Sequence, residues 1–132
     1  VAPPVAGPYR WQATLSIQAV PQARARVARF GHGYYPPHVA AYRRELTLLL
    51  REAHRGRPVI DWSCDVSIVF SGVRRGCDGD NLKKGVLDCM VAAGVLADDH
   101  WGIVRRQSAE VLDTPRQRVW INVEPYECVI IA

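Results

Sequence analysis

Hydrophobic and polar positions alternate along several stretches of the chain, as they do in strands that bury one face. Residues 11–19 and 63–71 place apolar side chains at every second position, which predicts two half-buried strands. Residues 103–112 and 118–126 are also strand-like. The turn between them, Asp113-Thr114-Pro115-Arg116, predicts that these last two strands pair as a hairpin.

Two further stretches have the period of an amphipathic helix. Between residues 38 and 54, apolar side chains recur every three or four positions, and arginines occupy the opposite face. A second helix is predicted over 81–93, because Asp80 or Asn81 can cap its start and Gly94 its end. The elements follow the order βαβα and then ββ, which predicts an α+β fold with a mixed sheet and two main helices.

Two segments fall outside this pattern. Residues 1–10 are rich in proline and are expected to form a flexible arm. Residues 21–37 form a long basic connection that ends at Pro36-Pro37, and connections of this length usually serve a function or are disordered. The length of the chain predicts one domain over residues 1–132.

Charge is unevenly distributed along the chain. The net charge is +4, yet five of the 13 acidic residues fall between positions 78 and 99. Both lysines, Lys83 and Lys84, lie in this stretch, whereas the other cationic residues are arginines. A cluster of carboxylates in a basic protein is costly unless a cation or a functional role compensates it. Carboxylates for a hard cation beside basic groups for a polyanion predict a metal-dependent nuclease.

The acidic residues form two groups. Asp78 and Asp80 flank Gly79, whose backbone freedom lets both carboxylates turn towards one point. Asp98 and Asp99 follow the predicted helix about 20 Å further along, so the chain must fold back to bring them to the first group. Three shared carboxylates would favour Mg²⁺, with Mn²⁺ as a substitute, because all ligands are hard oxygens. Each aspartate alone is also explained as a helix cap or a polar turn, and for a single residue that explanation is the more frequent.

The acidic segment resembles the signature of the RusA family of Holliday junction resolvases. The matching residues are Asp78, Asp80, Asn81, Leu82 and Lys84, then Asp88, then Asp98-Asp99. The basic stretch from Pro21 to Pro36 is similar to that of the family, and the resemblance covers roughly residues 20–110.

The resemblance implies roles for particular side chains. Asp78, Asp80 and Asp99 would be metal-binding catalytic acids, Asp98 a further ligand, and Lys84 a catalytic group that neutralises charge on the phosphate. Asp88 is either part of the motif or an exposed partner of Lys84 at i,i+4. The residues expected to bind DNA are Arg24, Arg26, Arg29, Tyr35, Arg74, Arg75 and Lys83. For Tyr35 and Trp101, burial is the more frequent alternative to stacking on DNA.

The implied activity is Mg²⁺-dependent, structure-specific cleavage that resolves Holliday junctions by paired symmetric nicks in recombination and repair, leaving 5′-phosphate and 3′-hydroxyl ends. The implied partners are a four-way junction or other branched DNA and a second copy in a symmetric homodimer. We expect no membrane contact and no small-molecule cofactor, and a location in the cytoplasm of a bacterial or phage-infected cell. Two alternatives stay open: a nuclease or nickase for forks, flaps or phage packaging intermediates, and a non-catalytic DNA-binding module.

Overall fold

A four-stranded mixed sheet and two helices form the domain. The structure is a computed structural model that describes residues 7–22, 26–27 and 33–127. The elements in chain order are β1 (Trp11–Leu15), β2 (Arg26–Val27), β3 (Gly33–Tyr34), α1 (Pro37–Ala53), β4 (Cys64–Ser71), α2 (Gly79–Ala92), β5 (Val104–Leu112) and β6 (Arg118–Pro125). The strand order in the sheet is β1-β6-β4-β5, and β2 pairs separately with β3. The predicted α+β class, with a mixed sheet and two helices, is confirmed.

The core lies between one face of the sheet and the two helices. β4 shows why the alternating pattern has this result, because Val66, Ile68 and Phe70 are fully buried while the residues between them are half-buried on the opposite face. Leu46 of α1 and Leu82 of α2 belong to the same core cluster. Burial of each such side chain contributes roughly 2 kcal/mol to folding. Neither helix in the described part of the chain is long and apolar enough to cross a membrane.

The predicted hairpin between the last two strands is wrong. β4 lies between them and pairs with β5 in parallel and with β6 in antiparallel fashion. Parallel strands need a long crossover connection, and α2 supplies it by running back from the end of β4 to the start of β5. The end of β4 is in contact with the β5–β6 connection, where a Cβ atom at Gly72 would lie 2.7 Å from the backbone of Arg116.

Element boundaries differ from the expectation by a few residues. The N-cap of α2 is Asp78, whose Oδ1 accepts a hydrogen bond of 3.0 Å from the backbone N–H of Asp80, so the predicted caps Asp80 and Asn81 are wrong. β1 ends at Leu15, although Ile17 and Ala19 beyond it are buried.

Part of the expected arm is held against the domain. Tyr9 packs edge-on against Trp62 with 4.8 Å between ring centroids. Its hydroxyl donates to the carbonyl of Pro58 and lies 2.9 Å from Nε2 of His54. Residues 1–6 lie outside the described residues. The ordered domain therefore begins before β1.

Candidate active site

Two of the predicted acids lie together at the N-terminus of α2. Asp78 caps the helix, and the side chain of Asp80 in its first turn is 83% exposed. The partial positive charge of a helix N-terminus stabilises carboxylates there. Lys83 Nζ lies 3.3 Å from Asp80 Oδ1, and its side chain is only 14% exposed. Two exposed carboxylates with hard oxygen donors are suited to Mg²⁺ or Mn²⁺ but are too few for a complete ligand set.

A cleft of about 730 Å³ begins beside these carboxylates. Asp78 forms part of its wall together with Arg74, Arg75 and His38. Both arginines, for which DNA binding stays a prediction, are exposed and thus accessible to a phosphate. Positive charge therefore lines the approach to the acidic pair and would attract a phosphate group to this end of the cleft.

The second acidic group lies at the opposite end of α2. Asp98 and Asp99 are exposed in the connection from α2 to β5. This connection is held near the start of β4, because the N–H of Ala97 donates to the carbonyl of Ile60 at 2.9 Å. Asp78, in contrast, follows the end of β4. A helix of 14 residues spans about 21 Å, so Asp99 cannot share an ion with Asp78 in the same chain.

The expectation that the chain itself gathers the three acids is thus not met. Within residues 7–22, 26–27 and 33–127, no three histidine, cysteine, aspartate or glutamate side chains lie close enough together to hold a metal ion. The reason is the parallel βαβ unit: its helix begins beside the C-terminal ends of β4 and β5 and finishes beside their N-terminal ends. One chain therefore supplies two incomplete groups of ligands.

A backbone hydrogen bond within the second group stabilises the charged form of Asp98. The N–H of Asp99 donates to Asp98 Oδ1 at 2.7 Å. This hydrogen bond lowers the pKa of the Asp98 carboxyl, because it favours the charged form. Asp98 is therefore ionised at neutral pH and available as an oxygen ligand.

The two lysines of the motif differ in their surroundings. Lys83 contacts Asp80, whereas Lys84 is exposed on the surface of α2. Lys84 does not pair with Asp88 at i,i+4 in the structure, because Asp88 has other partners. Lys83, which was predicted only to bind DNA, is thus in direct contact with a candidate metal ligand.

Asn81 and Asp88 hold the start of the basic connection, a role that the sequence pattern does not predict. Asn81 Oδ1 accepts a hydrogen bond from the backbone N–H of Gln22, and Gln22 Nε2 donates to Asp88 Oδ2 at 3.3 Å. Asp88 Oδ2 also lies 3.7 Å from Arg43 Nη1 of α1. Asn81 and Asp88 are seven positions apart and therefore lie on one face of α2, where both contact Gln22.

The same network holds the other end of the connection. The guanidinium of Arg43 lies 4.8 Å from the ring centroid of Tyr35, which is half-buried. Gln22 and Tyr35 flank the segment that contains the predicted DNA-binding arginines. Arg24 and Arg29 lie outside the described residues, as does the side chain of Arg26. The start of this segment is therefore fixed to α2, which carries Asp80 and Asp88, and its end to α1.

We expect Asn81→Ala to destabilise the fold by about 1–2 kcal/mol, because the partly buried N–H of Gln22 loses its acceptor. The same change should weaken DNA binding, because the basic connection is released at its start. Urea unfolding and junction binding at two salt concentrations measure both effects. Asn122→Ala is the matched control, since it removes a hydrogen bond to Gln12 that is exposed. Equal losses in the two variants would contradict the anchoring role.

Trp101 is the other aromatic residue near the acids. Its side chain is 78% exposed, so the expectation that it is buried is wrong. Arg105 lies over its ring at 5.7 Å. An exposed aromatic next to Asp99 offers a surface on which a nucleic acid base can stack.

A small α+β domain with exposed carboxylates at a helix N-terminus, beside a cleft lined by arginine, has the features of a nuclease. The family model described as Endodeoxyribonuclease RusA matches residues 16–124, which is most of the chain. The chain belongs to the RusA endodeoxyribonuclease family. Membership assigns it to the nucleases that act on Holliday junctions, which generally depend on a divalent metal ion. No curated protein matches the chain.

Proposed function

We propose that the protein is a Mg²⁺-dependent Holliday junction resolvase that acts as a symmetric homodimer. The observation that carries this proposal is the position of the acids at opposite ends of α2 in a chain of this family. Because one chain cannot join its two acidic groups, a complete set of ligands requires a second copy. In a two-fold dimer each site would combine Asp78 and Asp80 with Asp99 of the partner subunit.

Two such sites follow from the symmetry. An isologous dimer has the same contacts twice, so any site built across the interface occurs in two copies related by the two-fold axis. A four-way junction in its open form also has two-fold symmetry, and two sites would cut opposed strands at equivalent phosphates. Paired symmetric nicks are thus the expected product of this arrangement.

Each side chain of the site would have its own chemical role. Asp78, Asp80 and Asp99 would hold Mg²⁺, with Asp98 beside them as a further oxygen donor. A bound divalent ion supplies charge stabilisation at the phosphate and promotes attack by water. Lys83 orients the Asp80 carboxylate through their 3.3 Å contact. Lys84 faces solvent, where its charge can offset that of the phosphate.

The basic residues would hold the junction arms. Arg74 and Arg75 lie in the cleft, and the connection anchored at Gln22 and Tyr35 adds three more arginines. Contacts of this kind give affinity that falls with salt but carry no sequence preference. Specificity for branched DNA would then come from the spacing of the two sites.

A mobile four-way junction with labelled strands tests the proposed function. With Mg²⁺ the protein should cut two opposed strands at symmetric positions and leave ends that ligase can seal, and a chelator should abolish cutting. A Y-shaped fork and a plain duplex of the same sequence are the comparison substrates. Equal rates on the fork would favour the broader structure-selective nuclease, and binding without any cutting would favour a non-catalytic DNA-binding module.

A further inference from the structure

β5 forms a long edge of the sheet. It pairs only with β4 among the described strands, and its residues are exposed apart from Val104 and the partly buried Ala109. Val111 and Leu112 near its end are large exposed hydrophobic residues. Natural sheets usually shorten, twist or cover such an edge, because its free N–H and C=O groups can pair with another strand. A bulge interrupts the first residues, but the ladder with β4 is regular from Arg106 to Leu112.

The sequence of β5 is complementary to its own reverse. If two copies pair in antiparallel fashion about Ser108, Arg106 of one lies directly opposite Glu110 of the other, twice in the dimer. Gln107 then lies opposite Ala109, and Ser108 lies opposite its own copy. Directly opposed charges of opposite sign stabilise antiparallel pairs, and like charges destabilise them. Shifting the centre to a neighbouring residue removes both Arg–Glu pairs.

We propose that β5 is the dimer interface, and that two chains join edge to edge into an eight-stranded sheet with Ser108 on the two-fold axis. This inference rests on the proposed function in one respect, since that function requires a second copy, and β5 is the surface that joins the two copies. The axis stands perpendicular to the sheet, so that all four helices cover the same face. Strand pairing supplies main-chain hydrogen bonds, and the charges set the register.

The proposed interface also explains how acids at opposite ends of α2 could form one site. The start of α2 lies over the second half of β5, where a Cβ atom at Gly79 would be 3.7 Å from Val111 and 3.8 Å from Ala109. In the antiparallel pair, the first residues of the partner's β5 run beside this second half, about 4.8 Å away. The connection that precedes β5 in the partner then brings Asp99 of the partner subunit to the end of the sheet that carries Asp78.

Charge reversal tests the register. Glu110→Arg and Arg106→Glu each place like charges opposite one another in a homodimer, so each should weaken dimerisation by roughly ten- to thirtyfold. A mixture of the two variants restores two opposite-charge pairs and should form heterodimers as tightly as the wild type. Sedimentation with chains of different mass measures this. Glu45→Arg, on the exposed side of α1, is the control and should leave the dimer intact.

Disulfide formation tests whether the two-fold axis passes through Ser108. Ser108→Cys should cross-link two chains on mild oxidation in a background with Cys77→Ser and Cys128→Ser, because opposed Cβ atoms lie about 5 Å apart. Glu110→Cys should not, since two copies of residue 110 are separated by four positions along the strand.

The outcomes separate the interface from the activity. Dimers that ignore both charge reversals and resist the Ser108→Cys cross-link would overturn the interface, whether or not they cut junctions. Monomers at working concentration would overturn it too. Dimers that follow the charge pattern but leave every branched DNA uncut would support the interface and refute the proposed function.

Discussion

Asp80→Asn is expected to reduce junction cleavage in Mg²⁺ by about 1,000-fold or more while binding stays equal or becomes tighter. The change removes one carboxylate from a small set of metal ligands, so that the ion and its charge stabilisation are lost. It also removes a negative charge from the surface that receives the phosphate. The fold should be unaffected, because Asp80 is exposed and its ion pair with Lys83 contributes little to stability.

Glu52→Gln is a closely matched control for this substitution. Glu52 is 73% exposed and lies 3.5 Å from Arg55 at i,i+3, much as Asp80 lies near Lys83. Removal of its charge should leave both binding and cleavage unchanged. Single-turnover cleavage and junction binding in Ca²⁺ give the two quantities. Near-normal cleavage by Asp80→Asn would remove that residue from the metal site.

The fold was predictable where one physical signal dominated. From Cys64 to Phe70, β4 alternates between buried and half-buried residues, and the pattern located the strand within one residue. The pairing of β5 was not predictable in this way, because its exposed residues give no strong alternation and the turn residues before β6 favour a hairpin. Only the crossover of α2 makes β4 and β5 neighbours, and that is a property of the whole chain rather than of local sequence.

The site was predictable in its residue types but not in its arrangement. The spacing of Asp78 and Asp80 around Gly79 predicted their proximity, and both do lie at the start of α2. The position of Asp99 depends on the direction of the strand that follows it. Because β5 is parallel to β4, Asp99 lies near the N-terminal ends of both strands. An antiparallel β5 would have placed Asp99 near the C-terminal end of β4, where Asp78 lies.

Contacts between elements distant in sequence were beyond prediction. Nothing in the sequence near Asp88 indicates that it contacts Gln22, 66 positions earlier. Arg43, which pairs with Asp88, lies on the arginine-bearing face of α1, yet its side chain is only 23% exposed. Tertiary contact, rather than helical periodicity, decides which charges of α1 stay in solvent.

Mixing two inactive variants is expected to restore nicking, if each site combines acids from two chains. Asp80→Asn and Asp99→Asn should each be inactive alone. In their heterodimer, one site receives both substitutions and the other receives none. Random assortment of equal amounts makes half of the dimers heterodimers, so nicking should return to about a quarter of the wild-type level. Each heterodimer cuts one strand, so the product is a nicked junction rather than two resolved duplexes.

A mixture of Asp78→Asn with Asp80→Asn is the control for this complementation. Both substitutions fall on the same side of the proposed composite site, so every dimer, mixed or not, has a damaged residue in each site and stays inactive. Denaturing gels of a junction labelled on each strand distinguish single from paired cuts. If the Asp80→Asn and Asp99→Asn mixture also stays inactive while heterodimers form, the acids do not act across the interface, and Asp99 must be assigned a role apart from the ion at Asp78.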